Sequence, residues 1–296
     1  MRKPVSTLAA WKAGLIAPAI ALIAATGGCG GGGSSAGGGG SSPPPPIGGG
    51  NPLPDPPTAN DATGGGIWLG TMRRNGQFVN WATCLVVEAG DVACILYSPL
   101  DEHPSWFSDD FGVGAVHGNL QVSTTSQASG TGKVYAMRGN VLTDGTSVVA
   151  DFTITGGSLS TEDSRLEFTF SSLGEESTFV GFFDPAYVSL FDSLPHGVYT
   201  RFEIYGDPSS LSIDEDGVLF MQTASGCSGN GQVSLNTPGY NAYTVNITMS
   251  NCPGLNGAYE GLATFVFSNV DDDTASDVLS ISVFNETNAI VGVAVR

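Results

Sequence analysis

From Gly66 to the end of the chain, apolar and polar residues alternate with a period of two, and glycine and asparagine punctuate the runs. Tyr243, Val245, Ile247 and Met249 alternate with Thr244, Asn246 and Thr248; Leu279, Ile281 and Val283 obey the same rule, as do Ala150, Phe152 and Ile154. Such a pattern suits an extended strand with one face buried and the other wet. No convincing helical pattern follows residue 30. The expected fold class is all-β, an antiparallel barrel or sandwich, because strands in this number must close or stack to hide their edges.

The alternating region also reads as two related halves, 66–193 and 194–296. "GIWLGTM" from Gly66 stands against "GVYTRFE" from Gly197, and "LVVEAGDV" from Leu85 against "LSIDEDGV" from Leu211. Further on, "SGTGKVYA" from Ser129 matches "SGNGQVSL" from Ser228, and "LEFTFSS" from Leu166 matches "ATFVFSN" from Ala263. Order is preserved while the offset drifts. Each half is expected to supply five or six strands, giving one barrel of ten or more or two small barrels or sandwiches in tandem.

Turn chemistry sets a register. Glu88-Ala89-Gly90 and Glu215-Asp216-Gly217 suit three-residue hairpin loops whose last residue is left-handed, a place for glycine. That loop puts Leu211 and Ile213 opposite Met221 and Leu219, and Cys84 opposite Cys94. A Cys84–Cys94 disulfide leaves Cys227 and Cys252 to bond in the second half. Metal binding by these four is disfavoured, since no paired C-x-x-C spacing exists.

Five cysteines leave one over. The odd one, Cys29, follows a basic segment with Arg2, Lys3 and Lys12 and an apolar run, Ala13 to Ala25, the pattern of a secretory signal peptide. At about 13 residues that run is shorter than the roughly 20 of a bilayer-spanning helix. Thr26-Gly27-Gly28-Cys29 resembles the bacterial lipobox, with Thr26 where an aliphatic residue is usual. The resemblance implies removal of residues 1–28 and a lipid on Cys29; simple cleavage leaving a free thiol is the alternative. Gly30 after the cysteine fits lipoproteins sorted to the outer membrane, again by resemblance.

Residues 29–65 are Gly, Ser and Pro with almost nothing to bury, and are expected to form a disordered tether. As a flexible coil of about 36 residues it spans roughly 30 to 36 Å. Similar glycine-rich tethers precede the small β-barrels of surface lipoproteins of the transferrin-binding protein B type; the resemblance covers the tether and carries no function. The segment Ser210 to Ala263, with its D-x-x-G hairpin, first cysteine, G-Q-V-S, Y-x-x-Y strand, second cysteine and G-x-Y-x-G-L-A, resembles one common in a family of proteobacterial lipoproteins. It implies an anchored β architecture and no particular activity.

The formal charge is −18, and loss of residues 1–28 leaves 7 basic against 28 acidic residues, or −21. Such a surface repels nucleic acid and anionic lipid, so the expected membrane contact is the N-terminal lipid alone.

No nucleophile elbow, H-E-x-x-H, phosphate loop or dinucleotide fingerprint occurs, and no cofactor is implied. Asp271, Asp272, Asp273 and Asp277, and separately Asp214 and Asp216, could ligate Ca2+, although both groups sit where solvated turns are expected. Comparison of the halves sets residues 98–128 against 223–227, so the first half carries an insertion. Within it, His103, Trp106, Phe107, Asp109 and Asp110 form an acidic and aromatic group suited to a ligand or partner. The other reading makes Trp106, Phe107 and Phe111 a plug in an open barrel end. Trp68 and Trp81 read as core.

The function expected is a non-enzymatic, ligand- or partner-binding module of the cell envelope. A purely structural envelope component is the alternative, and a hydrolase with an unrecognised site the third reading.

Overall fold

Alternation along the chain becomes two closed antiparallel barrels of eight strands each. The structure, a computed structural model, describes residues 64–98, 112–137, 139–188, 194–204, 207–267 and 277–296, all within one unit, Asn51–Arg296. The first barrel comprises β1 (Gly66–Arg74), β2 (Gln77–Val86), β3 (Asp91–Tyr97), β4 (Gly114–Val122), β5 (Ala128–Ala136), β6 (Val149–Ser160), β7 (Arg165–Ser172) and β8 (Glu175–Asp184). A 3-10 turn, Pro185–Val188, follows. The second comprises β9 (Gly197–Ile204), β10 (Asp207–Ile213), β11 (Val218–Thr223), β12 (Ser228–Leu235), β13 (Tyr243–Ser250), β14 (Gly257–Phe267), β15 (Asp277–Phe284) and β16 (Ala289–Val295). Each pairs its first strand with its last.

Five or six strands per half was therefore too few, and the repeat was misaligned by one strand. The "SGTGKVYA" run is β5, while its sequence match "SGNGQVSL" is β12, the fourth strand of its barrel. Hydrogen bonds give the true correspondence. The Gly90 carbonyl accepts from Leu120 N–H of β4 at 2.7 Å, and the Gly217 carbonyl accepts from Val233 N–H of β12 at 2.8 Å. Likewise "LEFTFSS" is β7 and "ATFVFSN" is β14, the sixth strand of its barrel. The slip arises because glycines recur on adjacent strands: Gly118 of β4 faces Gly132 of β5. A Cβ on Gly118 would lie 2.3 Å from Thr131 O, and one on Gly132 2.2 Å from His117 O. Both positions exclude a side chain, so the motif appears twice in one barrel. With β4 matched to β12, the extra length in the first half shrinks to residues 98–113 against 224–227.

The hairpin turns have the expected geometry. Gly90 and Gly217 have φ of 93° and 82°, and Leu211 and Ile213 lie opposite Met221 and Leu219. Cys84 lies opposite Cys94 across β2 and β3 and is bonded to it; Cys227, before β12, is bonded to Cys252, after β13. Gly64 and Gly65, assigned from sequence to the tether, are instead buried. Gly64 O accepts from Trp68 Nε1 at 3.0 Å, and a Cβ on Gly65 would strike the Glu88 carboxylate at 2.1 Å.

Each barrel is filled by its own side chains. Trp68, Leu120, Leu166, Phe168 and Phe179 pack the first; Tyr199, Leu211, Met221, Tyr243 and Leu279 pack the second. A third apolar cluster lies outside both, where Ile95, Tyr97 and Tyr135 of the first barrel meet Leu262, Phe284 and Val291 of the second. This seam explains why β3 reads "DVACILY" without alternation: Val92 and Cys94 face inward while Ala93, Ile95 and Tyr97 face the other barrel.

Asn241, fully buried, ties the connecting turn into the second barrel. Its amide nitrogen donates to Phe265 O at 2.6 Å and Ala186 O at 3.2 Å, and its Oδ1 accepts from Phe265 N–H at 2.8 Å. Its backbone N–H donates to Tyr187 O at 2.9 Å, and the Tyr187 ring stacks on Tyr240 at 5.1 Å.

Two outcomes are expected. Replacing Asn241 by Leu removes its three side-chain hydrogen bonds at a buried site and should lower unfolding free energy by more than about 2 kcal/mol in urea titration. Replacing either cystine pair by alanines should cost about 3 kcal/mol in the same assay, slightly more for the longer Cys227–Cys252 loop.

Candidate functional site

Among the described residues the second barrel's interior holds a void of about 20 Å³ among Leu211, Leu219, Met221 and Val245, and a small hollow of about 70 Å³ lies against Met72, Val79, Val134 and Phe170 of the first. The large concavity lies between the barrels, a cleft of about 600 Å³, within the range of small-molecule sites. Its first wall comes from β4 and β5, with His117, Lys133 and Tyr135. Its second wall is the outer surface of β12, β13 and β14, and Phe284, Asn285 and Glu286 close the base. The fourth and fifth strands of both barrels therefore line one space. Gly118 and Gly132 on one wall and Gly231 on the other line the cleft with backbone, and each lets neighbouring strands approach closely: a Cβ on Gly231 would sit 2.0 Å from Asn246 O.

At the base the barrels are joined by side chains. The His117 ring lies flat on Phe284, with centroids 4.5 Å apart and planes 2° from parallel. Tyr135 packs against the same ring at 5.3 Å, and its hydroxyl donates to Asn285 O at 2.9 Å. Lys133 Nζ bridges Asp151 at 3.1 Å and Glu286 at 3.2 Å. Both carboxylates are largely exposed, so this bridge orients Lys133 more than it stabilises the fold.

Electrostatics follow burial. Burial lowers the His117 pKa from its ordinary value, opposed by the negative charges of Asp91 and Glu260. Burial pushes Tyr135 up to about 12, with Lys133 pulling the other way. The Lys133 ammonium is held protonated by its hydrogen bonds to Asp151 and Glu286. The cleft thus presents an imidazole biased toward its uncharged form and an ion-paired lysine.

The residues singled out from sequence distribute as follows. His103, Trp106, Phe107, Asp109 and Asp110 lie outside the described residues, as do Phe111, Cys29, Asp271, Asp272 and Asp273. Asp277 opens β15. Asp214 is occupied by its own turn, its Oδ1 accepting from Asp216 N–H at 3.0 Å and Val218 N–H at 2.7 Å. Among the described residues no three His, Cys, Asp or Glu side chains converge as a metal site. Trp68 is in the first core; Trp81 is half-buried beside the seam, edge-on to Phe78. His117, taken from sequence as part of the long insertion, is on strand β4 in the cleft. Sequence reasoning missed the cleft because its walls belong to different halves. The available signal was the apolar residues at outward strand positions, such as Tyr135 and Phe284.

No family model matches the chain, and no curated protein matches it. A solved structure of a double mutant of the vaccine antigen transferrin-binding protein B from Haemophilus parasuis aligns with 77% of this chain and 62% of its own, at 9% identity and a TM-score of 0.23. The chain thus spans less than two thirds of that structure. At this score the alignment says nothing of shared function.

The half-buried His117 gives the molecule a pH dependence of defined sign. Its folded-state pKa is lowered, so its contribution to stability is complete above about 6.5 and is lost as pH falls from there through the folded-state value. Thermal melts should therefore show stability dropping on acidification below about 6.5. His117→Asn should flatten that part of the profile relative to the parent.

Proposed function

We propose that this chain is a lipid-anchored cell-envelope protein of the outer membrane, a non-enzymatic binding module that takes its ligand in the cleft between the barrels. The observation that carries this reading is the cleft itself: about 600 Å³ lined from both barrels, beside interiors filled with their own side chains. Filled barrels alone would suit a structural component. A cleft that neither barrel needs for its own closure favours recognition. The signal segment, Cys29 and the glycine-rich run to about residue 63 support an anchor with a spacer of roughly 30 Å, enough to hold the cleft clear of lipid headgroups.

The anchor predicts incorporation of radiolabelled palmitate and partition into the detergent phase of a Triton X-114 extract. Cys29→Ala should abolish both while leaving the barrels' thermal melt unchanged. Labelling of the Cys29→Ala chain, or an unmodified Cys29 in mass spectra of the mature protein, would overturn the anchor.

A further inference from the structure

The cleft's second wall carries polar side chains that make no side-chain hydrogen bond among the described residues. Asn230, Asn246, Thr248 and Glu260 are exposed on the outer face of β12, β13 and β14, and none makes a side-chain hydrogen bond within the described residues. Their neighbours differ. Gln232 Nε2 donates to Asp216 O at 2.6 Å, and Lys133 is held by two carboxylates. The wall therefore offers two carboxamides and a hydroxyl, each able to donate or accept, and a carboxylate that accepts.

Strand register arranges these groups in two parallel rows. In one, Phe220 of β11 lies opposite Asn230, Asn230 opposite Thr248, and Thr248 opposite Ala258. In the other, Gln232 lies opposite Asn246, Asn246 opposite Glu260, and Glu260 opposite Phe284. Three interstrand steps of about 4.8 Å make the first row roughly 14 Å long. Just beyond the cleft's lining, at the open end of this row, Phe220 is 43% exposed, a large aromatic face on the strand next to Asn230. Val198, 62% exposed, joins the same row through Ser212, which lies opposite both Val198 and Phe220.

A ligand matched to this wall is rich in neutral hydroxyl groups and has an apolar face to lay on a ring. Both barrels are closed, so an extended peptide finds no free strand edge among the described residues to pair with. Anionic ligands meet Glu260 and Glu286 in the cleft, with Asp91 close to His117, while the nearby Lys133 is already paired. We infer that the cleft binds a neutral oligosaccharide of about trisaccharide length, its hydroxyls bonded by Asn230, Asn246, Thr248 and Glu260 and one sugar face laid on Phe220. This rests on the cleft-binding reading above and specifies its ligand.

The test is a glycan array of neutral and anionic oligosaccharides probed with the mature chain, followed by calorimetric titration of the best neutral trisaccharide and its monosaccharide. The expected result is selective retention of neutral glycans, with at least tenfold weaker binding of the monosaccharide. Asn246→Ala with Thr248→Ala should weaken the trisaccharide at least tenfold, and Phe220→Ser severalfold, with melting temperatures within a degree or two of the parent because all three sites are exposed. Should the double variant melt early, Asn230→Asp takes its place, adding only a charge. Preference for anionic glycans, no glycan binding at all, or neutral binding indifferent to these substitutions would overturn the inference. The broader reading is separable. A ligand of another class, such as a peptide from a displayed library, whose binding is lost in the same variants would remove the saccharide and keep the cleft. If no ligand of any class responds to the cleft variants, both fall.

Discussion

Two closed barrels have no strand edges to share, so they can be joined only through side chains on their outer faces. Here that junction is the apolar seam in which Ile95, Tyr97 and Tyr135 meet Leu262, Phe284 and Val291. Each large side chain removed from water there is worth about 2 kcal/mol, so the seam is strong enough to fix the barrels' mutual orientation. Asn241 and Tyr187 add direction, tying the connecting turn to the second barrel through hydrogen bonds and a ring stack. The cleft is a consequence: where the seam ends, at His117, Tyr135 and Phe284, the curved outer walls diverge and leave a space that belongs to neither barrel.

Much of the fold was legible in the sequence because strand formation is local. Period-two alternation marked β13, β15 and β6, and the left-handed glycines Gly90 and Gly217 marked two hairpins. From the first hairpin's register the pairing of Cys84 with Cys94 followed. The strand count was not legible, because β4 lies within what reads as an insertion and carries glycines at positions that also mark β5. The seam was harder still. Its signature is the loss of alternation on strands buried on both faces, and a short continuous apolar run such as that of β3 does not say what covers its second face.

The candidate site was legible only in fragments. The aromatic and acidic group at residues 103–110 drew attention because it interrupts the repeat, whereas the cleft is built from ordinary strand residues. Asn246 and Thr248 are the polar members of an alternating strand, which by themselves indicate a wetted surface. They gain meaning from the opposite wall and from making no side-chain hydrogen bond among the described residues. His117 shows the same limit: a lone histidine in sequence, it is the stacked ring at the base of the cleft once β4 is set beside β15.

The duplication acquires a functional sense in this arrangement. The fourth and fifth strands of each barrel are turned toward a common space, so two related modules make one site that a single module could not enclose. The claim on which this depends is the seam's geometry, and nuclear Overhauser spectroscopy of the folded chain tests it most directly. The His117 imidazole protons should show strong cross-peaks to the Phe284 ring, with the Tyr135 ring protons correlated to Phe284 as well. Cross-peaks confined within each barrel, with none between His117 and Phe284, would mean that the barrels do not share this seam and that the cleft does not exist.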